Sequence, residues 1–365
     1  MTAAIRLTPT PSRPRLLACF LFIGCTHEAP YTPGAYAPGV PPGTGPLVQL
    51  TYNAGVDLAP SWLPDGSGFF YTAERFDRPD RDRCLALLPA AGGTIAREIC
   101  NRVPAADDSV DAFSAAAVAP DGRLAYVRTS APLDVGRPLA PRFYELVIAT
   151  LADPHRVSVL RAFPHIGPSG RGHDGAGQLR WLADSVLVYV GQRVAYVPPC
   201  FRCPPDTVPS GLELVRLDFG GPVPVLSMLP GSDQASSVAV AGRDTVFFTV
   251  NGDSRVFRLD LSTESLAVVH DFGAGGIARD VQIAGSKLLA VVGGNVSFTN
   301  DPSVGSLQRD GGGTVLAVDL PTGTETPVTP VGFLFRHIAL APNGTRLVAE
   351  HVLGPTTDLW LVEVP

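Results

Sequence analysis

A hairpin signature that keeps returning along the chain restricts what this sequence can fold into more than any other feature. Pro60-Ser61-Trp62-Leu63-Pro64-Asp65-Gly66, followed by Ser67-Gly68-Phe69-Phe70-Tyr71, comes back as Ala117-Val118-Ala119-Pro120-Asp121-Gly122, followed by Arg123-Leu124-Ala125-Tyr126. It comes back again as Ala339-Leu340-Ala341-Pro342-Asn343-Gly344, followed by Thr345-Arg346-Leu347-Val348. Each copy reads strand, Pro-Asp/Asn-Gly turn, strand: glycine supplies the positive φ of a tight hairpin, and Asp or Asn bonds its own backbone in the turn. Degenerate copies surround Ala183-Asp184-Ser185, Ala241-Gly242-Arg243-Asp244 and Ala284-Gly285-Ser286, making six. A β-unit repeated at this spacing buries its apolar faces by stacking on its own copies.

The rest of the repeat follows the hairpin. A third strand ends in an acid or a turn, as in Arg255-Val256-Phe257-Arg258-Leu259-Asp260 and Asp358-Leu359-Trp360-Leu361-Val362-Glu363. A fourth, outer strand is expected at residues 95–100, 157–163, 223–228, 266–272 and 325–331, and the sixth repeat has none. An unclaimed strand at residues 47–52 precedes the first repeat. The expectation is an all-β, six-bladed β-propeller over residues 47–365, with the N-terminal strand completing the last blade and so removing the free edges that invite aggregation. The 38 glycines and 36 prolines agree with many short strands and argue against a helical bundle.

These residues resemble the TolB-type six-bladed β-propellers, whose repeats carry a Pro-x-Trp-Ser-Pro-Asp-Gly hairpin and an Asp-Leu-Trp-type third strand. The likeness is strong in the first and last repeats, moderate in the second and weak in the three central ones, and Leu63 stands where the family prefers Ser. The resemblance implies a fold rather than a function, because the same propeller serves as partner-binding module, peptidase gate and lyase.

The first 24 residues read as a signal peptide. A basic, Pro-broken segment with Arg6, Arg13 and Arg15 leads into Leu16-Leu17-Ala18-Cys19-Phe20-Leu21-Phe22-Ile23-Gly24, too short to span a bilayer as a mature helix. Gly24-Cys25 resembles the lipobox of bacterial lipoproteins, which implies lipidation of Cys25, and Thr26 after it resembles an outer-membrane destination. Residues 25–46, rich in Pro and Gly, form a tether. The expected location is therefore the envelope, with the protein exported, anchored to the outer membrane and facing the periplasm or cell surface, and with the lipid as its only membrane contact.

Cys84, Cys100, Cys200 and Cys203 then remain in an oxidising compartment, where two disulfides account for all four. Cys84 and Cys100 are symmetric about Gly92, so a hairpin turning there sets them opposite one another. Cys200-Phe201-Arg202-Cys203 lies between Pro198-Pro199 and Pro204-Pro205, which preclude the helix N-terminus of a redox dithiol and favour a structural bridge.

Formal charge is −6, and loss of the leader leaves 25 basic against 34 acidic residues, so nucleic acid is not an expected partner. Of the two faces of the ring, the one formed by the loops between second and third strands and between successive blades has long, irregular segments, including residues 191–211, and is where binding is expected. Asp57, Asp111, His173, Asp174, Asp233, Asp280, Arg336 and His337 are placed on loops around that mouth, with His173 and His337 facing one another across the pore. Phe201 and Arg202 at the tip of the stapled loop form an aromatic-Arg pair of the kind enriched at interface hot spots.

No metal-ligand spacing appears, and no cofactor is expected. Gly167-Pro168-Ser169-Gly170-Arg171 lacks the last glycine of a nucleophile elbow, so no catalytic residue is assigned. The expected function is a non-catalytic binding or scaffolding module for an envelope protein or ligand. The alternative is an envelope enzyme of carbohydrate lyase or glycosidase type, working with the channel-mouth His and Asp residues.

Overall fold

The computed structural model describes residues 47–52, 55–75, 83–100, 109–132, 143–163, 165–166, 171–197, 206–293, 312–330, 333–353 and 356–365. Strands make up all of the regular structure among them. The first blade pairs Gly55–Trp62, Gly68–Arg75, Arg83–Pro89 and Arg97–Ile99 in chain order, and the second pairs Ser109–Val118, Arg123–Pro132, Phe143–Thr150 and Ser158–Phe163. The third holds Arg171–Ala183, Val186–Val197, Asp206–Asp218 and Val225–Met228, with the short strand His165–Ile166 on its inner side. The fourth and fifth run Ala235–Ala241 to Ser265–Asp271 and Ile277–Ala284 to Thr324–Pro327. Phe335–Leu340, Arg346–Leu353 and Thr356–Glu363 form the last.

The innermost strand of each blade contacts that of the next, and the innermost strand of the last returns to that of the first, so the described units close a ring. Closure uses the N-terminus as the repeat count requires. Leu47–Gln49 pairs antiparallel with Thr356–Glu363, Leu47 opposite Val362, as the outer strand of the last blade. Leu47 and Leu50 are buried there, the Leu50 N–H donates to the Leu359 carbonyl at 2.7 Å, and the Gln49 amide donates to Asp358 at 2.9 Å. A single parallel bridge, Val56 to Thr357, then joins the last blade to the first.

Hydrophobic clusters lie between blades rather than within one sheet. One holds Trp62, Phe69 and Tyr71 of the first blade against Ala339, Val348 and Leu359 of the last. Others join the second and third blades around Leu146, Leu187 and Tyr189, and the third and fourth around Leu214 and Phe248. Alternation along each strand puts successive side chains against opposite neighbours, so both faces of a blade are apolar. Cys84 and Cys100 form the expected disulfide across the hairpin that turns at Gly92 and Gly93.

Two expectations need correction. Residues 191–211 are not one long loop: Val186–Val197 and Asp206–Asp218 stay paired from Gln192 opposite Leu212 out to Val197 opposite Asp206. β-branched and aromatic residues on both arms, among them Val194, Tyr196, Val197 and Val208, make that hairpin arm. Cys200, Phe201, Arg202 and Cys203 lie outside the described residues, as do the leader, Cys25 and the tether.

The second correction concerns the channel. Asp57, Asp111, His173, Asp174, Asp280, Arg336 and His337 are on the innermost strands, not on loops. Each of the six strands carries a bulge, between Leu58 and Ser61, Ser114 and Ala117, Gly177 and Arg180, Ala235 and Ser237, Ala278 and Asp280, and Phe335 and Ile338. An extra residue breaks the two-residue alternation, so the strand pattern stops at the bulge while the strand itself continues.

Candidate functional site: a polarised cavity on the channel axis

The bulged segments of the innermost strands meet around one cavity. Ala59, Ala115 and Gln178 take positive φ of 49°, 53° and 51° at equivalent points of the first three blades, a conformation unfavourable for residues with a Cβ. Around them lies a cavity of about 370 Å³, lined by residues 58–60, 114–116, 176–180, 236, 277–280 and 336–338, a contribution from every innermost strand, and by Thr72, Arg83, Tyr144, Asn251 and Gly252.

Its walls differ in character. The first two blades present an apolar patch of Leu58, Ala59, Pro60, Ala115 and Ala116, beside Thr72, Ser114, Tyr144 and Arg83, whose charge is met by Glu74. The fifth and sixth present Arg279, Asp280, Arg336 and His337, and the third adds Arg180. Aligned through the hairpin register, Arg180 occupies the place of Ser61, Ala117, Ala239 and Ala339 in other blades. Its Nη1–H donates to the Leu179 carbonyl at 3.0 Å, and it makes no ion pair among the described residues.

His337 and Glu350 form a dyad. The Nδ1 to Oε2 distance is 2.7 Å, with Glu350 fully buried and 41% of the His337 side chain accessible. Burial works against the Glu350 charge, yet Arg336, which is also ion-paired to it, and His337 hold its carboxyl below the usual range. An ionised carboxylate only accepts, so Nδ1–H donates and Nε2 is the nitrogen left for the cavity. Burial also works against charge on His337, but the charge and hydrogen bond of Glu350 and the charge of Asp280 outweigh it and raise its pKa.

Asp280 is pushed up by burial, which His337 and Arg180 oppose. Its carboxyl accepts from the backbone N–H groups of Val281 at 2.9 Å and Ile338 at 2.8 Å, clasping the fifth blade to the sixth. Gln178 does the same for the third and fourth, accepting from the Val238 N–H at 3.0 Å, and Glu350 accepts from Ala59 of the first blade at 3.4 Å. Asp280 and Glu350 thus hold the ring together as well as lining or backing the cavity.

Of the residues singled out from the sequence, Asp280, Arg336 and His337 meet at this cavity. Asp57 is completely buried beside the closing bridge, where its carbonyl accepts from Thr357 Oγ1 at 3.0 Å. Asp233 is exposed and ion-paired with Arg193 at 2.8 Å. Asp111 lies opposite Ser130, and His173 opposite His165 and Arg193; the side chains of Asp111, His173 and Asp174 are outside the described set. Among the described residues no group of three or more His, Cys, Asp or Glu side chains is placed to hold a metal ion.

Sequence reasoning missed Arg180, Glu350 and Gln178. A signal existed for the first two, since each puts a charge at a repeat position that is otherwise uncharged in four or more blades; Glu350 replaces Thr72, Val127, Val190, Thr249 and Val291.

No family model matches the chain, and no curated protein matches it. Solved structures do. A gluconolactonase from Xanthomonas campestris aligns over 87% of this chain and 89% of its own with a TM-score of 0.52 and 14% identity. A protein of Agrobacterium tumefaciens assigned to TolB aligns over 87% and 97% with a TM-score of 0.51 and 12% identity. Regucalcin from the same organism, a calcium-binding protein, aligns over 85% and 90% with a TM-score of 0.50 and 12% identity.

The chain is a β-propeller. Identities this low establish its fold, and the propeller's chemistry has to be argued from its own cavity.

Proposed function

We propose that this propeller is a binding module of the cell envelope, exported, lipid-anchored at Cys25 and held off the membrane by residues 25–46. Its binding face is the one formed by the loops between second and third strands and between blades, with the axial cavity as its small-ligand site. The observation that carries this reading is the cavity itself: a pocket of about 370 Å³, lined by all six innermost strands and joining charged residues with an apolar patch, is of the size and character of a small-ligand site. Thermal-shift screening of the purified protein against small polar and amphipathic compounds tests it. Saturable stabilisation without consumption of the compound is expected, and a screen with no stabilising compound would remove the cavity from the reading. Incorporation of radiolabelled palmitate, lost in Cys25→Ser, tests the anchor.

One observation favours the enzymatic alternative. A histidine oriented by a buried carboxylate, with its second nitrogen toward a cavity, is a general acid-base arrangement. Under that reading a stabilising compound is also consumed, and His337→Gln abolishes consumption.

A further inference from the structure

We propose that the cavity selects a small monocarboxylate, its carboxylate taken up by Arg180 and His337 and its apolar body lying against Leu58, Ala59, Ala115 and Ala116. The inference rests on the reading of the cavity as a ligand site, and it adds the ligand's chemical class.

Charge on the lining argues for an anion. Arg83 is neutralised by Glu74 at 2.8 Å, and Arg336 by Glu350 behind the wall. That leaves Asp280 as the carboxylate in the lining facing Arg180 and His337, and its two oxygens are already engaged by the Val281 and Ile338 backbone. Arg180, Asp280 and His337 line the same cavity, so with His337 protonated the lining sets two cations against one carboxylate whose charge acts on both. Arg279 on the same wall adds no negative charge.

Geometry supports this balance. A guanidinium is fully charged at every working pH and offers five donors, one of which Arg180 gives to the neighbouring Leu179 carbonyl. Burial in the channel disfavours its cationic form, and Asp280 compensates in part. A bound carboxylate supplies the compensation that the protein leaves incomplete, and Arg favours carboxylates through paired, parallel hydrogen bonds. The apolar patch makes a purely hydrophilic anion a poor fit, because hydration lost against Leu58, Ala59, Ala115 and Ala116 would not be replaced.

Titration calorimetry with benzoate and its uncharged analogue benzamide tests the class. Benzoate is expected to bind at least tenfold more tightly than benzamide, and Arg180→Gln to weaken benzoate by roughly tenfold to a hundredfold with little effect on benzamide. Raising the pH removes the proton that Glu350 and Asp280 hold on His337 against the neighbouring Arg336, so benzoate affinity falls with rising pH and becomes flat in His337→Gln. An unchanged melting temperature in Arg180→Gln separates loss of the site from loss of the fold. Equal affinity for benzoate and benzamide overturns the carboxylate preference while the cavity stands as a site. Absence of benzoate binding also overturns it, and the thermal-shift screen then decides separately whether the cavity takes any other ligand.

Discussion

Trp62 donates its indole N–H to the carbonyl of Ala339 at 2.8 Å, tying the first blade to the last where the ring closes. Trp181 repeats the bond one blade pair on, to the equivalent carbonyl of Ala117 at 3.1 Å. The hairpin tryptophan is therefore a blade-to-blade fastener. Trp62→Phe removes this hydrogen bond and should destabilise by about 0.5–1.5 kcal/mol beyond the packing loss. Trp360, also buried, has no partner at Nε1 among the described residues, so Trp360→Phe should cost clearly less. Urea denaturation of the two variants gives the comparison, and equal losses would show that the indole bond contributes nothing.

Closure by the N-terminal strand predicts a sharp boundary. Deleting residues 1–46 should leave the melting temperature unchanged, whereas deletion through Tyr52 strips Thr356–Glu363 of its partner and exposes that edge. Light scattering on warming should report early aggregation of the longer deletion alone. Immediately after the strand, Leu50→Ala should cost about 2–5 kcal/mol as a buried leucine truncated in a packed core.

The disulfide between Cys84 and Cys100 closes a span of 16 residues. A bridge of that size restricts the unfolded chain by about 3 kcal/mol, so Cys84→Ala should lower the stability of oxidised protein by about that amount. Reductant should shift the wild-type denaturation midpoint and leave the variant's unmoved.

His337 gives the fold a pH dependence of definite sign. Its folded pKa lies above the ordinary 6.5, because Glu350 and Asp280 outweigh burial and the neighbouring Arg336. The stability this contributes is complete below the unfolded value and is lost as pH rises through the folded one. Stability of the wild type relative to His337→Gln should therefore decline across that interval. A difference that grows with pH would reverse the assignment of Glu350 as the partner that holds the proton.

Much of the ring was readable before any coordinates. The Pro-Asp/Asn-Gly turns carry their own backbone chemistry: Ser67 N–H donates to Asp65 at 2.9 Å and Arg123 N–H to Asp121 at 3.1 Å, bonds that need no distant residue. The outer strands fell where the alternation put them, within a few residues, and the missing strand of the last blade was found at Leu47–Gln49. The Cys84–Cys100 pairing was legible for the same reason, since a hairpin's register follows from its turn.

The cavity was legible only in pieces. Asp280, Arg336 and His337 stood out as polar residues near blade starts, but the bulges at these positions interrupt the pattern by which strands are recognised. Arg180 and Glu350 sit on strands that read as ordinary repeat elements, and their role depends on neighbours in other blades. Local turn chemistry and two-residue periodicity, both properties of a few consecutive residues, let the sequence by itself determine the hairpins, the blades and the strand that closes the ring. Only the tertiary structure decided that Arg180 of the third blade, Asp280 of the fifth and the His337–Glu350 dyad of the sixth share one electrostatic environment, because ring closure brings together residues far apart in the chain and burial makes their charges matter to one another.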